Sequence, residues 1–365
     1  KVDEIGNSGV MVKTIKLKNL NLLDMNRLVT DTLACELSLA QPLTELVYQK
    51  TKGNPFFATQ FLKALYENGQ ITFHLTKGGK EGGWQCDIAQ LKALAMTDDV
   101  VEFMALQLQK LPAETQNVLK LAACIGAHFD LNTLAIVSKK STEDAATALW
   151  IALQEGLVIP MTKIYKFFTQ LDSEEVFQAS VNPIYRFLHD RVQQAAYSLI
   201  DQEHKQATHL CIGMLLLENL SASEREDRLF EIVNHFNIGK TLITQPSQRE
   251  ELAQLNFLAG CKAKTSTAYA AALTYTTVAI ALLPVDCFES HYKLSFGLYK
   301  ERAEIEYLNG NLDRAETWIG YTLEKAKTPL EKADVYNVSI IQYTLQAKYP
   351  EAIQAGRQAL ALIDI

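Results

Sequence analysis

The sequence predicts a mainly α-helical protein that includes one small α+β domain. Apolar residues recur at the i, i+3, i+4, i+7 spacing of a buried helix face through most of the chain, for example over residues 191–200. Runs with β-strand character are few and short, at residues 10–18, 71–87 and 157–188. Long helical stretches therefore set the fold class, and strands form only small sheets.

Composition and charge limit the possible functions. The 365 residues are enough for two or three domains, and 35 basic against 42 acidic side chains give a net charge of −7. This balance argues against binding to nucleic acid or to an anionic membrane. The six cysteines stand singly, and no apolar run approaches the roughly 20 residues of a membrane span. We expect reduced thiols, no membrane contact and a cytoplasmic location.

The first hundred residues predict three small units. Residues 1–20 contain a strand that has no partner nearby in the sequence. Residues 21–70 predict a helical subdomain with breaks at Pro42 and at Gly53-Asn54-Pro55. Residues 71–96 are rich in glycine between two β-type flanks, which predicts a β-hairpin linker.

Residues 97–200 predict a winged-helix-like domain. Four helical stretches precede short apolar runs and a closing helix, an order that indicates helices with a small β-wing. Winged helices often bind DNA, but this range carries 8 basic and 12 acidic side chains, a local charge of −4. Contacts to DNA phosphates would be opposed, so DNA binding is disfavoured.

Residues 201–365 predict a degenerate array of helical repeats similar to tetratricopeptide repeats. Second helices open near Ala268, Leu312 and Pro350, at spacings of 44 and 38 residues. A strict tetratricopeptide repeat has about 34. Small residues at matching positions predict close packing of paired helices: Ala271, Ala315 and Ala352.

The sequence contains no motif for catalysis. Its one Gly-Lys-Thr run begins at Gly239, but a phosphate loop needs glycine five residues earlier, where Asn234 stands. Zinc-ligand spacings and a nucleophile elbow are also missing from the sequence. We therefore expect no enzymatic activity from this segment alone.

The first candidate site is Gly53-Asn54-Pro55, which two phenylalanines follow. It separates two predicted helices. The proline supplies a rigid apolar ring, and the helix that begins there leaves amide donors unpaired. This pattern fits a simple helix start, and it equally fits a platform against the flat face of an aromatic base.

The second candidate site is His189, Asp190 and Arg191 in the first turn of a predicted helix. Unpaired N–H groups and the positive end of the helix dipole favour an anion there, so His189 with Arg191 is well placed to contact a phosphate. Alternatively, Asp190 only complements the dipole and His189 packs on the wing. The helix pattern leaves both interpretations open.

Several stretches together resemble the regulatory segment of large bacterial multi-sensor signal-transduction kinases, a family best represented in cyanobacteria. That family joins a serine/threonine kinase domain to a signal-transducing ATPase of the STAND class, then to helical repeats, then to sensor and histidine-kinase domains. The resemblance implies that this chain holds the C-terminal remnant of the ATPase core (residues 1–20), the lid (21–70), the winged helix (97–200) and the repeats (201–365). The stretches that carry it are residues 51–62, 111–131, 149–160, 185–200 and 259–276.

The resemblance also implies roles for both candidate sites. Gly53, Asn54 and Pro55 match the G-x-P motif of STAND lids, in which the proline lies against the adenine ring. His189 and Asp190 are similar to the histidine-aspartate motif of related switch ATPases, in which the histidine senses the β-phosphate of ADP and holds the resting state shut. Arg191 has no role in that motif, and we add it as a further phosphate contact.

The implied function is an ADP/ATP-dependent switch. The phosphate loop, the Mg²⁺-binding strand and the kinase domain of the family are expected upstream of Lys1, so this segment would share nucleotide and Mg²⁺ with them and would not hydrolyse ATP by itself. The repeats would bind a protein partner or the protein's own kinase domains. The alternatives are a repeat scaffold without a nucleotide role and, less favoured, a DNA-binding regulator.

Overall fold

The computed structural model describes residues 17–75, 82–86, 100–161 and 182–362. Helices dominate these residues and the strands form two small sheets, which confirms the predicted fold class. No helix of the described residues has the length and apolar character needed to cross a bilayer. Two compact units are present: unit 1 (Lys1–Leu131 and Glu143–Leu199) and unit 2 (Asn132–Thr142 and Ile200–Ile365).

Unit 1 begins with three helices: α1 (Leu22–Leu33), α2 (Leu37–Thr51) and α3 (Pro55–Glu67). The predicted break at Pro42 is wrong, because Pro42 lies inside α2. Its ring is exposed, and the carbonyl that loses a helical partner belongs to the exposed Ser38. The chain instead breaks at Ala34, which takes the left-handed conformation with φ 46°.

An antiparallel hairpin of β1 (Ile71–Leu75) and β2 (Gly82–Cys86) follows α3. Phe73 lies opposite Trp84, with ring centroids 5.3 Å apart, and Tyr66 of α3 lies 5.6 Å from the same tryptophan. Aromatic packing therefore anchors the hairpin to α3. The hairpin tip and most of the predicted N-terminal strand lie outside the described residues.

The remainder of unit 1 contains a three-stranded sheet and several helices. Its strand order is β3-β5-β4, and β5 is antiparallel to both neighbours. The Phe129 ring packs on Tyr185 and Phe187, with centroids 5.8 and 5.7 Å away. The predicted apolar run at residues 164–170 lies outside the described residues. In chain order, the elements after the hairpin are α4 (Val100–Leu108), α5 (Ala113–Ile125), β3 (His128–Asp130), α6 (Leu131–Ser138), α7 (Thr142–Gln154), β4 (Val158–Pro160), β5 (Ile184–Phe187) and α8 (Asp190–Ser198), of which residues 132–142 belong to unit 2.

Unit 2 is helical and takes in α6 from Asn132 onward. Thr133 of α6 accepts a hydrogen bond from Arg228 Nη1 at 2.8 Å. The pairs α12–α13, α15–α16 and α17–α18 form its helical repeats. Its further elements are α9 (Gln202–Asn219), α10 (Ala222–Asp227), α11 (Leu229–Gly239), a 3₁₀ turn (Lys240–Leu242), α12 (Pro246–Thr265), α13 (Tyr269–Leu282), α14 (Cys287–Ser290), α15 (Tyr292–Leu308), α16 (Leu312–Lys325), α17 (Pro329–Leu345) and α18 (Tyr349–Ala361).

One turn geometry recurs in all three repeat pairs. A left-handed residue precedes each second helix, and the next N–H donates to the carbonyl five residues earlier, a common way to end a helix. The left-handed residues are Thr267, Gly310 and Ala347, with φ of 59°, 81° and 57°. The N–H donors, each 2.9 Å from its acceptor, are Ala268 to Ala263, Asn311 to Glu306 and Lys348 to Tyr343.

Close helix packing follows each turn. The fourth residue of every second helix is a buried alanine, namely Ala272, Ala315 or Ala352. The predicted Ala271 is wrong: it is exposed, because α13 begins at Tyr269 and the buried face falls one residue later.

Candidate functional site

The turn at Lys52 and Gly53 connects α2 to α3 and contacts Leu20, which precedes α1. We call it the Gly53 turn. Lys52 and Gly53 are both left-handed, with φ of 51° and 80°. The Gly53 carbonyl accepts the Leu20 N–H at 2.8 Å, and a Cβ on Gly53 would lie 2.2 Å from the Leu20 carbonyl oxygen. A side chain is therefore excluded both by the backbone angles and by this close approach.

Asn54 and Pro55 begin α3. The Asn54 Oδ1 accepts the N–H groups of Phe56 and Phe57 at 3.0 and 3.3 Å, which caps the helix. Pro55 occupies the first helical position, where its missing N–H costs no hydrogen bond. Its ring is exposed. Gly53 and Asn54 thus have complete structural roles, whereas the Pro55 ring is accessible.

His189 is the N-cap residue of α8. Its Nδ1 accepts the Arg191 N–H at 3.1 Å, so the hydrogen-bonded tautomer carries its proton on Nε2. In the part of the chain that the structure describes, Nε2 has no hydrogen-bond partner. Asp190 is exposed in the first turn, and Arg191 donates from Nη1 to Gln194 Oε1 at 2.9 Å. His189 therefore offers one N–H donor beside the helix start.

The structure brings the two candidate sites together. The rings of Phe57 and His189 meet edge to face, with centroids 4.8 Å apart and an interplanar angle of 62°. Since Phe57 lies in the first turn of α3 and His189 caps α8, two helix N-termini adjoin. Each N-terminus carries partial positive charge, which favours an anion.

The predicted unpaired amides of α3 are wrong, because Asn54 accepts the N–H groups of Phe56, Phe57 and Ala58. At α8 the Arg191 and Val192 amides are paired with His189, so the donors left in the described residues are the Asp190 N–H and the His189 Nε2–H.

Further contacts fix α3 against the sheet-containing part of unit 1. Phe61 packs on Phe103 with centroids 5.5 Å apart. Gln60 Nε2 donates to the Glu155 carbonyl at 3.3 Å, and Lys63 forms an ion pair with the Glu155 carboxylate. Sequence reasoning missed these residues. The apolar spacing of Phe57 and Phe61 signals a buried face, but nothing in the sequence links Lys63 to Glu155.

A buried histidine pair lies apart from this site, in unit 2. The Nδ1 atoms of His209 and His235 are 2.8 Å apart. Burial first, then His209 and Arg228, lower the pKa of His235 to about 4, and burial lowers the pKa of His209. The pair is therefore neutral at physiological pH. No group of three or more potential metal ligands occurs among the residues that the structure describes.

The chain is similar to short segments of two signalling kinases. No family model matches it. It is 30% identical over 395 aligned residues to hybrid signal transduction histidine kinase G of Dictyostelium discoideum, an alignment that covers 97% of this chain and 11% of that protein. It is 24% identical to peroxide stress-activated histidine kinase mak3 of Schizosaccharomyces pombe, over 86% of this chain and 13% of that protein. The chain thus spans only a small part of either relative.

One solved structure is also similar. It is a STAND protein with a tetratricopeptide repeat sensor from Pyrococcus horikoshii, at 12% identity over 96% of this chain and 55% of that one. The TM-score is 0.32, too low to carry an argument. The relation to signalling histidine kinases therefore rests on sequence, and the predicted link to a serine/threonine kinase stays a prediction.

Proposed function

We propose that this chain is the regulatory segment of a signalling kinase and that bound ADP or ATP switches its state. In this proposal ADP contacts the Gly53 turn and His189 together with an ATPase core upstream of Lys1, and stabilises a closed form. ATP, or a protein partner on the helical repeats, favours an open form. The observation that carries the proposal is the 4.8 Å ring contact of Phe57 with His189, since it joins both candidate sites.

The residues present suit a nucleoside diphosphate. The exposed Pro55 ring offers an apolar face to adenine, and the His189 Nε2–H and the Asp190 N–H offer donors to a phosphate. Arg191 adds positive charge at the same helix start. This segment would neither hydrolyse ATP nor hold Mg²⁺ alone, because the metal and the terminal phosphates would be held by the core. The similarity to segments of two histidine kinases supports the assignment to kinase signalling.

The test is ADP binding to the natural protein that contains this chain, by calorimetry. We expect His189→Ala to weaken ADP binding by about tenfold or more, since a hydrogen bond to a charged group is worth about 1.5–3 kcal/mol. It should also speed ADP release and raise basal kinase output. His189→Asn keeps a capping oxygen for the Arg191 N–H but lacks the ring donor, so it should lose the same affinity while unit 1 stays folded.

The two variants separate a phosphate contact from a helix cap. His204→Ala, at an exposed histidine of α9, is the control and should leave ADP binding unchanged. Unchanged affinity in both His189 variants would contradict the proposal. If His189→Ala loses ADP affinity and His189→Asn keeps it, then His189 acts only as a helix cap.

A scaffold without nucleotide is the second candidate function. It is favoured by the complete structural roles of Gly53 and Asn54, which need no ligand to explain them. Small-angle scattering of the natural protein during an ADP titration distinguishes the two. The switch predicts ADP-dependent compaction, and the scaffold predicts an unchanged radius of gyration.

A further inference from the structure

An apolar groove lies in unit 2 between α9 and α12. Its volume is about 280 Å³. Met214 and Leu242 in its lining are 40% and 46% exposed, so the groove is open to solvent. The apolar side chains that form most of it are Leu210, Met214, Phe236, Leu242, Leu252 and Leu255.

Two carboxylates stand at this groove without a partner. Glu218 of α9 and Glu251 of α12 line it and are exposed. Neither makes a hydrogen bond or an ion pair with any described residue, unlike Glu231 or Glu306 of the same unit, which bind arginines. The groove therefore combines apolar walls with two carboxylates that no described residue pairs with.

The dimensions of the groove fit two turns of a helix. The lining on α9 extends from Leu210 to Glu218 and that on α12 from Gln248 to Leu255. At 1.5 Å per residue these walls are about 10–12 Å long. An amphipathic helix that lies in a groove uses apolar anchors at i, i+3 or i+4, and i+7, which is the same length.

We propose that this groove binds an amphipathic helix of a partner protein, with leucine-like anchors one turn apart and lysine or arginine beside them. The anchors cover Met214 and Leu242, and the basic groups face Glu218 and Glu251. The groove is separate from the nucleotide site. It names a partner chemistry that the proposed function leaves open, and it rests on that function only in treating unit 2 as the partner-binding part.

The test uses a fluorescent 14-residue peptide of leucine and lysine, with leucine at helical spacing, and fluorescence anisotropy with the 365-residue chain in the absence of nucleotide. We expect saturable binding that weakens as salt is added. A peptide with glutamate in place of lysine should bind at least tenfold more weakly, and so should a leucine-lysine peptide of the same composition without helical spacing. If the peptide does not bind, the proposed binding of ADP is not contradicted. If ADP does not bind, the peptide result still stands.

Variants of the groove complete the test. The double change Glu218→Lys and Glu251→Lys should weaken binding of the lysine peptide at least tenfold and strengthen binding of the glutamate peptide. Met214→Lys, on the apolar wall, should also weaken binding of the lysine peptide. Glu324→Lys, at an exposed position of α16, changes charge in the same way and should have no effect.

Four results would overturn the proposal. They are the absence of saturable binding, equal binding of the lysine and glutamate peptides, an equal effect of the groove and control variants, and concentration-dependent dimerisation that Met214→Lys abolishes. The last result, detected by light scattering, would assign the groove to a second copy of this chain.

Discussion

Gly53 in unit 1 and Gly310 in unit 2 share a backbone conformation, with φ of 80° and 81°, but differ in their surroundings. A Cβ on Gly53 would meet the Leu20 carbonyl oxygen at 2.2 Å, whereas a Cβ on Gly310 would meet nothing within 4 Å. In the other two repeats the equivalent positions are Thr267 and Ala347. Glycine is therefore required where two chain segments approach closely, and a left-handed turn alone does not require it.

The largest effect expected in unit 2 concerns Glu306, whose side chain binds Asn311, the residue after Gly310. The Glu306 carboxylate, fully buried, accepts from Arg302 Nε at 2.9 Å and from Asn311 Nδ2 at 2.7 Å. Glu306→Ala leaves the buried Arg302 charge unpaired and should lower the free energy of unfolding by about 3–5 kcal/mol. Urea unfolding followed by circular dichroism measures it.

Gly310→Ala is the comparison for that variant. It adds a Cβ in open space and should cost about 1–2 kcal/mol, the usual penalty of the left-handed region. A smaller loss for Glu306→Ala than for Gly310→Ala would show that the glycine, and not the ion pair, holds this turn.

Gly53→Ala tests the other side of the comparison. We expect a loss of about 3 kcal/mol, since the left-handed penalty adds to a backbone clash that must displace Leu20. Hydrogen exchange of the α3 amides, with urea unfolding, measures the loss and its location. Equal losses for Gly53→Ala and Gly310→Ala would remove the distinction between the two glycines.

The sequence predicts local features of this fold well. The helix start at Pro55 follows from residue type, and the second helices of the repeats open within one residue of their predicted positions. The break predicted at Pro42 is wrong because the carbonyl that loses its helical partner, that of Ser38, is exposed to water. Thr267 and Ala347 carry no turn signal, since the hydrogen bonds, and not the residue type, impose their conformation.

Long-range features of the candidate site could not be predicted. Phe57 and His189 are 132 positions apart, and one sequence contains no information on which rings meet across that distance. His189 was expected to contact an anion or the wing, but its role as an N-cap depends on the extended backbone before α8. Proximity in the fold, and not residue type, joins the two sites.

Acid should destabilise unit 2 through its buried histidine pair. Unfolded histidine has a pKa of about 6.5, whereas that of folded His235 is about 4. The stabilisation that His235 contributes is complete above pH 6.5 and is lost as the pH falls toward 4. In this range the histidine binds a proton in the unfolded state but not in the folded state. Between pH 7 and pH 5, His235 should account for a loss of about 2 kcal/mol in urea unfolding.

His235→Gln removes this titration while its amide still offers a partner to His209. The loss of stability between pH 7 and pH 5 should shrink accordingly. His204→Gln is the matched control at an exposed position, and its pH dependence should equal that of the unsubstituted chain. If His235→Gln loses as much stability between pH 7 and pH 5 as the unsubstituted chain does, then His235 is not the group whose titration destabilises unit 2.

The smallest expected effect lies in unit 1, at the ion pair between Lys63 and Glu155. Their side chains are 43% and 33% exposed, and exposed pairs contribute about 0.2–1 kcal/mol. Lys63→Met should therefore lower the free energy of unfolding by less than about 1 kcal/mol, and added salt should remove most of the difference. Urea unfolding with and without sodium chloride measures both values.

The size of this effect decides what holds α3 in place. Phe57 and Phe61 pack their buried rings on His189 and Phe103, and such contacts do not depend on salt. Phe61→Ala should therefore cost about 3–5 kcal/mol at any ionic strength. If Lys63→Met proved as costly as Phe61→Ala, then charge and not ring packing would position the start of α3 beside His189, and the candidate site would loosen as the salt concentration rises.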